Sequence, residues 1–135
     1  MTVRIGINGF GRIGRSVLRA ALTNDADVQV VAVNDVADVR TLATLLEWDS
    51  ISGHLDGVAV DGDAITVQGQ RITVFAQPDP AAIAWGDAGV DVVIESTGRF
   101  TDGAAAAAHL KGGARKVIIS APAKGDVPTY VLGVN

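Results

Sequence analysis

Three glycines near the start of the chain have the spacing that could do chemistry. Gly9, Gly11 and Gly14 fall in the run Gly9-Phe10-Gly11-Arg12-Ile13-Gly14, the pattern G-x-G-x-x-G. There the first glycine permits a tight turn out of a strand. The second, lacking a Cβ, lets a pyrophosphate approach the backbone, and the third lets a helix sit against the strand. The free N–H groups of that helix and its dipole then hold the negative charge. The spacing alone is weak in a chain with 16 glycines, so its context decides. Asp35 stands 21 positions after Gly14. An acid at about that distance can accept both hydroxyls of an adenine ribose. The competing reading is a tight strand–helix turn in an unrelated α/β protein, with Asp35 a solvated strand-end residue.

The elements needed to position these residues are legible on either side. Val3–Asn8 reads as a buried strand, and residues 12–22 have helical spacing with Ile13, Val17, Ala20 and Ala21 on one face. Residues 28–33 form a second, nearly continuous apolar strand ending at Asn34 and Asp35. Both have the composition of strands covered on two faces, as in parallel sheets. Asp38 can cap a helix running through Leu42, Leu45 and Leu46 to Trp48. From Val58 to Ala76 the period changes to two, and residues 65–75 read as a hairpin turning at Gln68-Gly69-Gln70. Asp79-Pro80 opens a short helical turn. Residues 90–95 are a further strand, Thr101 or Asp102 caps an alanine-rich helix stopped by Gly112-Gly113, and strands are expected at 116–120 and 130–134. Strands alternating with helices predict a doubly wound, mainly parallel sheet of the Rossmann type. It has helices on both faces and an added antiparallel hairpin, and residues 1–135 are expected to form one domain.

Composition narrows the function. Fifteen acidic against eleven basic residues give a net charge of −4, and no Lys/Arg run offers a footprint for nucleic acid. No apolar stretch reaches the roughly 18 residues needed to span a bilayer. The N-terminus is too short in apolar residues for a signal peptide, so a cytoplasmic location is expected. The absence of cysteine excludes disulfides, thiolate metal sites and cysteine nucleophiles within these residues. His54 and His109 have no metal-ligand spacing, and His109, near a helix end, is expected to meet the last carbonyls. No metal is expected. Asp35 would repel a 2′-phosphate, and Val36 and Ala37 offer no side-chain donor to one, so NAD is favoured over NADP.

The run from Asn8 to Arg15 is more specific than a generic fingerprint. It resembles the opening motif of phosphorylating glyceraldehyde-3-phosphate dehydrogenases. The likeness continues at Val33-Asn34-Asp35, Asp49-Ser50, Trp85-Gly86, Glu95-Ser96-Thr97-Gly98, Lys116-Val117-Ile118-Ile119-Ser120-Ala121-Pro122 and Leu132-Gly133-Val134-Asn135. It fits erythrose-4-phosphate dehydrogenases less well, which usually have Glu at the Asp35 position. The resemblance implies an NAD-binding domain of a glycolytic, homotetrameric oxidoreductase. It implies that Gly9, Phe10, Gly11, Arg12, Ile13 and Gly14 surround the pyrophosphate, with the main-chain N–H groups of Arg12 and Ile13 donating. Asn34 and Asp35 would hold the adenosine end, Thr97 and Gly98 would line the path to the nicotinamide, and Ser120 would lie near it. Thr97-Gly98 could instead be a strand-end turn, and Ser120 a hydroxyl satisfying local backbone. Arg15 is expected to be a solvated or subunit-contact residue. Pro78 departs from the family, which often has Arg there, and this removes a cation near the adenine.

Family chemistry uses a cysteine thiolate that adds to the aldehyde and a histidine base in a second domain, and neither is expected in this chain. No residue here is a catalytic candidate. The chain is expected to bind NAD without turning over an aldehyde, as a fragment of a longer enzyme. A free-standing NAD-binding module without chemistry is the alternative. A protein or nucleic-acid adaptor has only an acidic surface and an apolar sheet edge in its favour.

Overall fold

The computed structural model describes residues 1–135. β1 (Val3–Asn8) and β2 (Val28–Asn34) pair in parallel, ending at Asn8↔Asn34, and α1 (Arg12–Thr23) carries the chain between them. α2 (Val39–Glu47) follows, then a small two-stranded ribbon, β3 (Trp48–Asp49) and β4 (Gly53–His54). β5 (Val58–Asp61), β6 (Ala64–Val67) and β7 (Gln70–Phe75) form an antiparallel meander. The β6–β7 turn is two residues, Gln68 and Gly69, both at positive φ (50° and 84°), the twist that suits a tight hairpin. β8 (Val92–Glu95) and β9 (Lys116–Ile119) complete the main sheet, and α3 (Gly103–Ala106) lies between them.

The seven strands of the main sheet lie in the order β5-β6-β7-β2-β1-β8-β9. β7 is both an arm of the hairpin and a parallel neighbour of β2, so the hairpin is built into the doubly wound sheet rather than appended to it. From β2 the chain crosses to the far edge at β5, folds back through β6 to β7 beside β2, then returns to place β8 on the other side of β1. The strand order reverses between β1 and β8, and in such sheets the crevice at the carboxyl ends of the strands takes the ligand.

Apolar residues are sorted onto the two faces of the sheet. One cluster gathers Ile7, Phe10, Leu18, Val33, Leu42, Leu46 and Ile65 under α1 and α2. The other gathers Val31, Ile83, Trp85, Val90 and Val93 on the opposite face. The buried face of α1 is Gly14 and Leu18, with Val17, Ala21 and Leu22 packed beside it. Ile13 is exposed and Ala20 also faces solvent, which corrects the face read from the sequence by part of a turn. The cause is Gly14: the helix meets the sheet at a residue without a side chain, and hydropathy gives such a residue no weight.

Asp38 stands at the N-cap of α2, but its side chain makes no capping bond, and Leu45 points outward. Asp102 does cap α3, accepting from the Ala104 N–H at 2.8 Å, and the helix tightens to 3₁₀ geometry over Ala107–Gly112 before Gly113 ends it at φ 108°. The strand expected at 130–134 does not form. Tyr130, Val131, Leu132 and Val134 are exposed, in and beside a turn, and pair with no strand, although β9 lies at the edge of the sheet. No helix is long and apolar enough to cross a membrane.

Candidate dinucleotide-binding site

At the carboxyl ends of β1, β2 and β8 lies a crevice of about 240 Å³, walled by Asn8, Gly9, Gly11, Asn34 and Asp35 on one side and Ser96, Thr97 and Arg99 on the other. The glycine turn forms its floor. Gly9 has φ 89°, and a Cβ there would lie 2.8 Å from Thr97 Cα, so both conformation and space demand glycine. A Cβ on Gly14 would strike the Gly9 carbonyl and come within 2.9 Å of Ile7 Cγ2, so the missing atom is what lets α1 close on β1. Gly11 is different: nothing lies within 4 Å of the position its Cβ would take. That space opens into the crevice, where a ligand's phosphates could approach the backbone.

Within the chain, the first turn of α1 leaves the N–H groups of Gly11, Arg12, Ile13 and Gly14 without acceptors, and the first helical bond is Arg15 N–H to the Gly11 carbonyl. These are the orphan donors of a helix N-terminus. Phe10 is not among them: its N–H donates to Asp35 Oδ2 at 2.8 Å, and its ring is buried in the core. Arg15 is half-buried and donates to the Phe10 carbonyl at 3.0 Å, so it braces the turn from behind and is not simply a solvated residue.

Asp35 is half-buried at the tip of β2. Its Oδ1 accepts from the Ala37 N–H at 3.0 Å while Oδ2 takes the Phe10 N–H. The carboxylate is therefore fixed against the glycine turn, and each oxygen keeps a lone pair for a ligand hydroxyl. The Asn34 amide is buried and committed: it donates to Asn8 Oδ1 at 2.8 Å and to the Gln77 carbonyl at 2.9 Å, and accepts from the Gln77 N–H at 2.9 Å. Thr97 lines the crevice with its hydroxyl donating to Glu95 and accepting from the Arg99 N–H. Gly98 follows at φ 74° in a strand-end turn. Ser120 lies at the end of β9 with both its N–H and its hydroxyl donating to the Glu95 carbonyl at 3.1 Å.

Several residues here were not singled out from the sequence. Ser96 clamps the glycine turn, its hydroxyl donating to the Gly9 carbonyl at 2.7 Å. Gln77 closes the Asp35 side beside Pro78, the departure already read in the sequence, and Arg99 faces the crevice from the β8 side, so a cation is present although Pro78 supplies none.

Beneath the floor runs a buried polar chain. Glu95 Oε1 accepts from Asn8 Nδ2 at 2.6 Å and from His109 Nε2 at 2.7 Å, and Oε2 accepts from Thr97 N–H and Oγ1–H at 3.0 and 2.6 Å. Trp85 Nε1–H donates to His109 Nδ1 at 3.0 Å, which leaves the ring proton on Nε2, facing Glu95. Burial alone would push the Glu95 carboxyl up; the hydrogen bonds from His109, Thr97 and Asn8 outweigh it and hold the group below the ordinary glutamate value. His109 is thus fully buried and bound to side chains, not to the last helical carbonyls as its position near a helix end suggested. One sequence signal was available: an acid ending an apolar strand has to be paired when buried. His54 lies on the surface between Glu47 and Asp56, and no cluster of three or more candidate metal ligands exists.

A helix N-terminus with free donors beside a fixed acid suits a dinucleotide, and comparison with known proteins decides which family this is. The family model for the glyceraldehyde 3-phosphate dehydrogenase NAD binding domain matches residues 3–103. The chain belongs to that family. It is similar over its whole length to glyceraldehyde-3-phosphate dehydrogenase of Geobacillus stearothermophilus (59% identical) and to glyceraldehyde-3-phosphate dehydrogenase 1 of Streptomyces avermitilis (60%) and of Bacillus subtilis (57%). It spans 40%, 41% and 40% of their respective lengths. The cofactor of the glyceraldehyde 3-phosphate dehydrogenase NAD binding domain is NAD, and the donors of α1, the open space at Gly11 and the Asp35 carboxylate fit it.

Proposed function

We propose that residues 1–135 work as one dinucleotide-binding unit of a glycolytic, aldehyde-oxidising dehydrogenase, holding NAD in the crevice between β1 and β8. The reading is carried by the four unpartnered N–H groups at the start of α1 beside the open space at Gly11. Gly11, Arg12, Ile13 and Gly14 bind the pyrophosphate. Asp35 accepts from the adenine ribose, already oriented by Phe10 and Ala37. Arg99 adds positive charge across the crevice. Thr97 and Gly98 line the way towards the nicotinamide, and Ser120 stands at the adjoining strand end. Asn34 acts chiefly by fixing Asn8 and Gln77, since both of its amide N–H groups are taken within the protein.

When bound, NAD supplies a hydride acceptor. The residues of this chain bind and orient it. No cysteine is present to add to an aldehyde, so this chain contributes cofactor binding and not covalent catalysis. In the full-length enzyme we place the domain in the cytoplasm and in a homotetramer, both carried over from the family resemblance.

Gly11→Val tests the assignment. The fold should persist, because no protein atom lies where the new Cβ would go. Calorimetric titration should show NAD affinity reduced by about a hundredfold or more, as the branched side chain takes the place of the pyrophosphate and the phosphate contacts are lost. A folded variant that titrates like the parent would place the phosphates elsewhere.

A further inference from the structure

We propose that Trp85, His109 and Glu95 form a positioning relay that sets the shape of the dinucleotide crevice from below, acting through Asn8 and Thr97. The inference rests on the reading of the crevice as the NAD site and deepens it. None of the three relay residues lines the crevice. Trp85, His109 and Glu95 are all buried, yet every hydrogen-bonding group at their tips is paired. Burying an acid and an imidazole under a sheet is costly, and an apolar pair of similar volume would pack as well or better.

The arrangement of donors gives the relay its direction. The Glu95 carboxylate receives four hydrogen bonds and makes none. Two come from Thr97, whose backbone packs on Gly9, and one comes from Asn8, whose side-chain Oδ1 accepts from Asn34. The fourth comes from His109. Only the tautomer with its proton on Nε2 can donate it, and the Trp85 N–H enforces that tautomer by occupying Nδ1. Trp85 is itself held by close fit: a Cβ on Gly6 of β1 would come within 2.6 Å of its ring. Asn8 Nδ2 lies 3.5 Å from His109 Nε2, so these two donors converge on Oε1 while the two from Thr97 meet Oε2, an arrangement that suits an ionised carboxylate. Loss of the His109 donor leaves Oε1 to Asn8 alone and frees Glu95 to turn. The Thr97 and Asn8 walls of the crevice then lose their common anchor.

The test compares His109→Gln with His109→Leu in the 135-residue chain, with NAD affinity from calorimetry and folding from circular dichroism. Glutamine can still donate to Glu95, while leucine fills space without donating. The relay predicts that the leucine variant binds NAD about tenfold more weakly and that the glutamine variant stays within about threefold of the parent, the scale expected for one hydrogen bond to a charged group. Leucine binding like the parent, or glutamine and leucine weakened alike, would overturn it, since a space-filling role does not distinguish them in that order. Should the leucine variant fail to fold, ¹⁵N NMR of the parent decides: the proton must sit on Nε2 of His109 at neutral pH, with and without NAD. A proton on Nδ1, or on both nitrogens, would overturn the relay. A parent chain that does not bind NAD would overturn the crevice reading and the relay together; binding by the parent with unchanged variants would overturn the relay alone.

Discussion

Asp35 holds the glycine turn to the end of β2 through Phe10 while offering its remaining lone pairs to a ligand. Those two tasks predict a compound effect for Asp35→Ser. NAD affinity should fall about tenfold or more, the scale of a lost hydrogen bond to a charged group. NADP affinity should fall less or rise, because repulsion of the 2′-phosphate goes with the carboxylate. Competition titrations measure both, and an unchanged preference would remove Asp35 from the ribose site. Glu95 makes a separate prediction. Its carboxyl is held below the ordinary value of 4.5 in the folded protein, so it contributes stability that is present above that value and is shed as pH falls through the lowered folded value. In thermal melts, the deficit of Glu95→Gln relative to the parent should be full at pH 7 and should shrink steadily in that acid range. A deficit independent of pH would mean that the charge of Glu95 contributes nothing.

At the scale of elements, the junction of β1 and α1 depends on Gly9 and Gly14, neither of which has room for a Cβ, whereas Gly11 faces open space. Gly14→Ala should destabilise by roughly 1–3 kcal/mol, because the methyl meets the Gly9 carbonyl and Ile7, and a packed junction yields only by shifting backbone. A thermal midpoint equal to the parent's would show that the junction has slack. The strand–glycine–helix order, the parallel pairing of β1 with β2 and the β6–β7 hairpin were legible because each has a local signal: an apolar run, a turn residue or a period. The relay was not legible. Asn8, Glu95 and His109 are separated by 87 and 14 residues and share no period; only the sheet order brings their elements together. The missing strand at 130–134 teaches the converse. Its residues have strand propensity, but propensity measures fit to a packed, paired surface, and residues 130–134 stay exposed although β9 lies at the sheet edge. The exposed Ile13 likewise reflects a helix seated on Gly14, a residue that hydropathy cannot weigh.

At the scale of the molecule, the proposed function requires a doubly wound sheet to present NAD to the free N–H groups of α1 at the reversal of strand order. Matching residues 3–103 to an NAD binding domain family fixes the cofactor but does not say which atoms of this chain meet it. Backbone amide NMR during titration with NAD addresses those atoms directly. The account predicts that the largest shifts fall on the N–H groups of Gly11, Arg12, Ile13 and Gly14, with further shifts at Asp35, Val36 and Ala37 and at Thr97, Gly98 and Arg99. NADP should need a higher concentration to move the same signals. Shifts confined to other strands or to the opposite edge of the sheet, or none at saturating NAD, would contradict it.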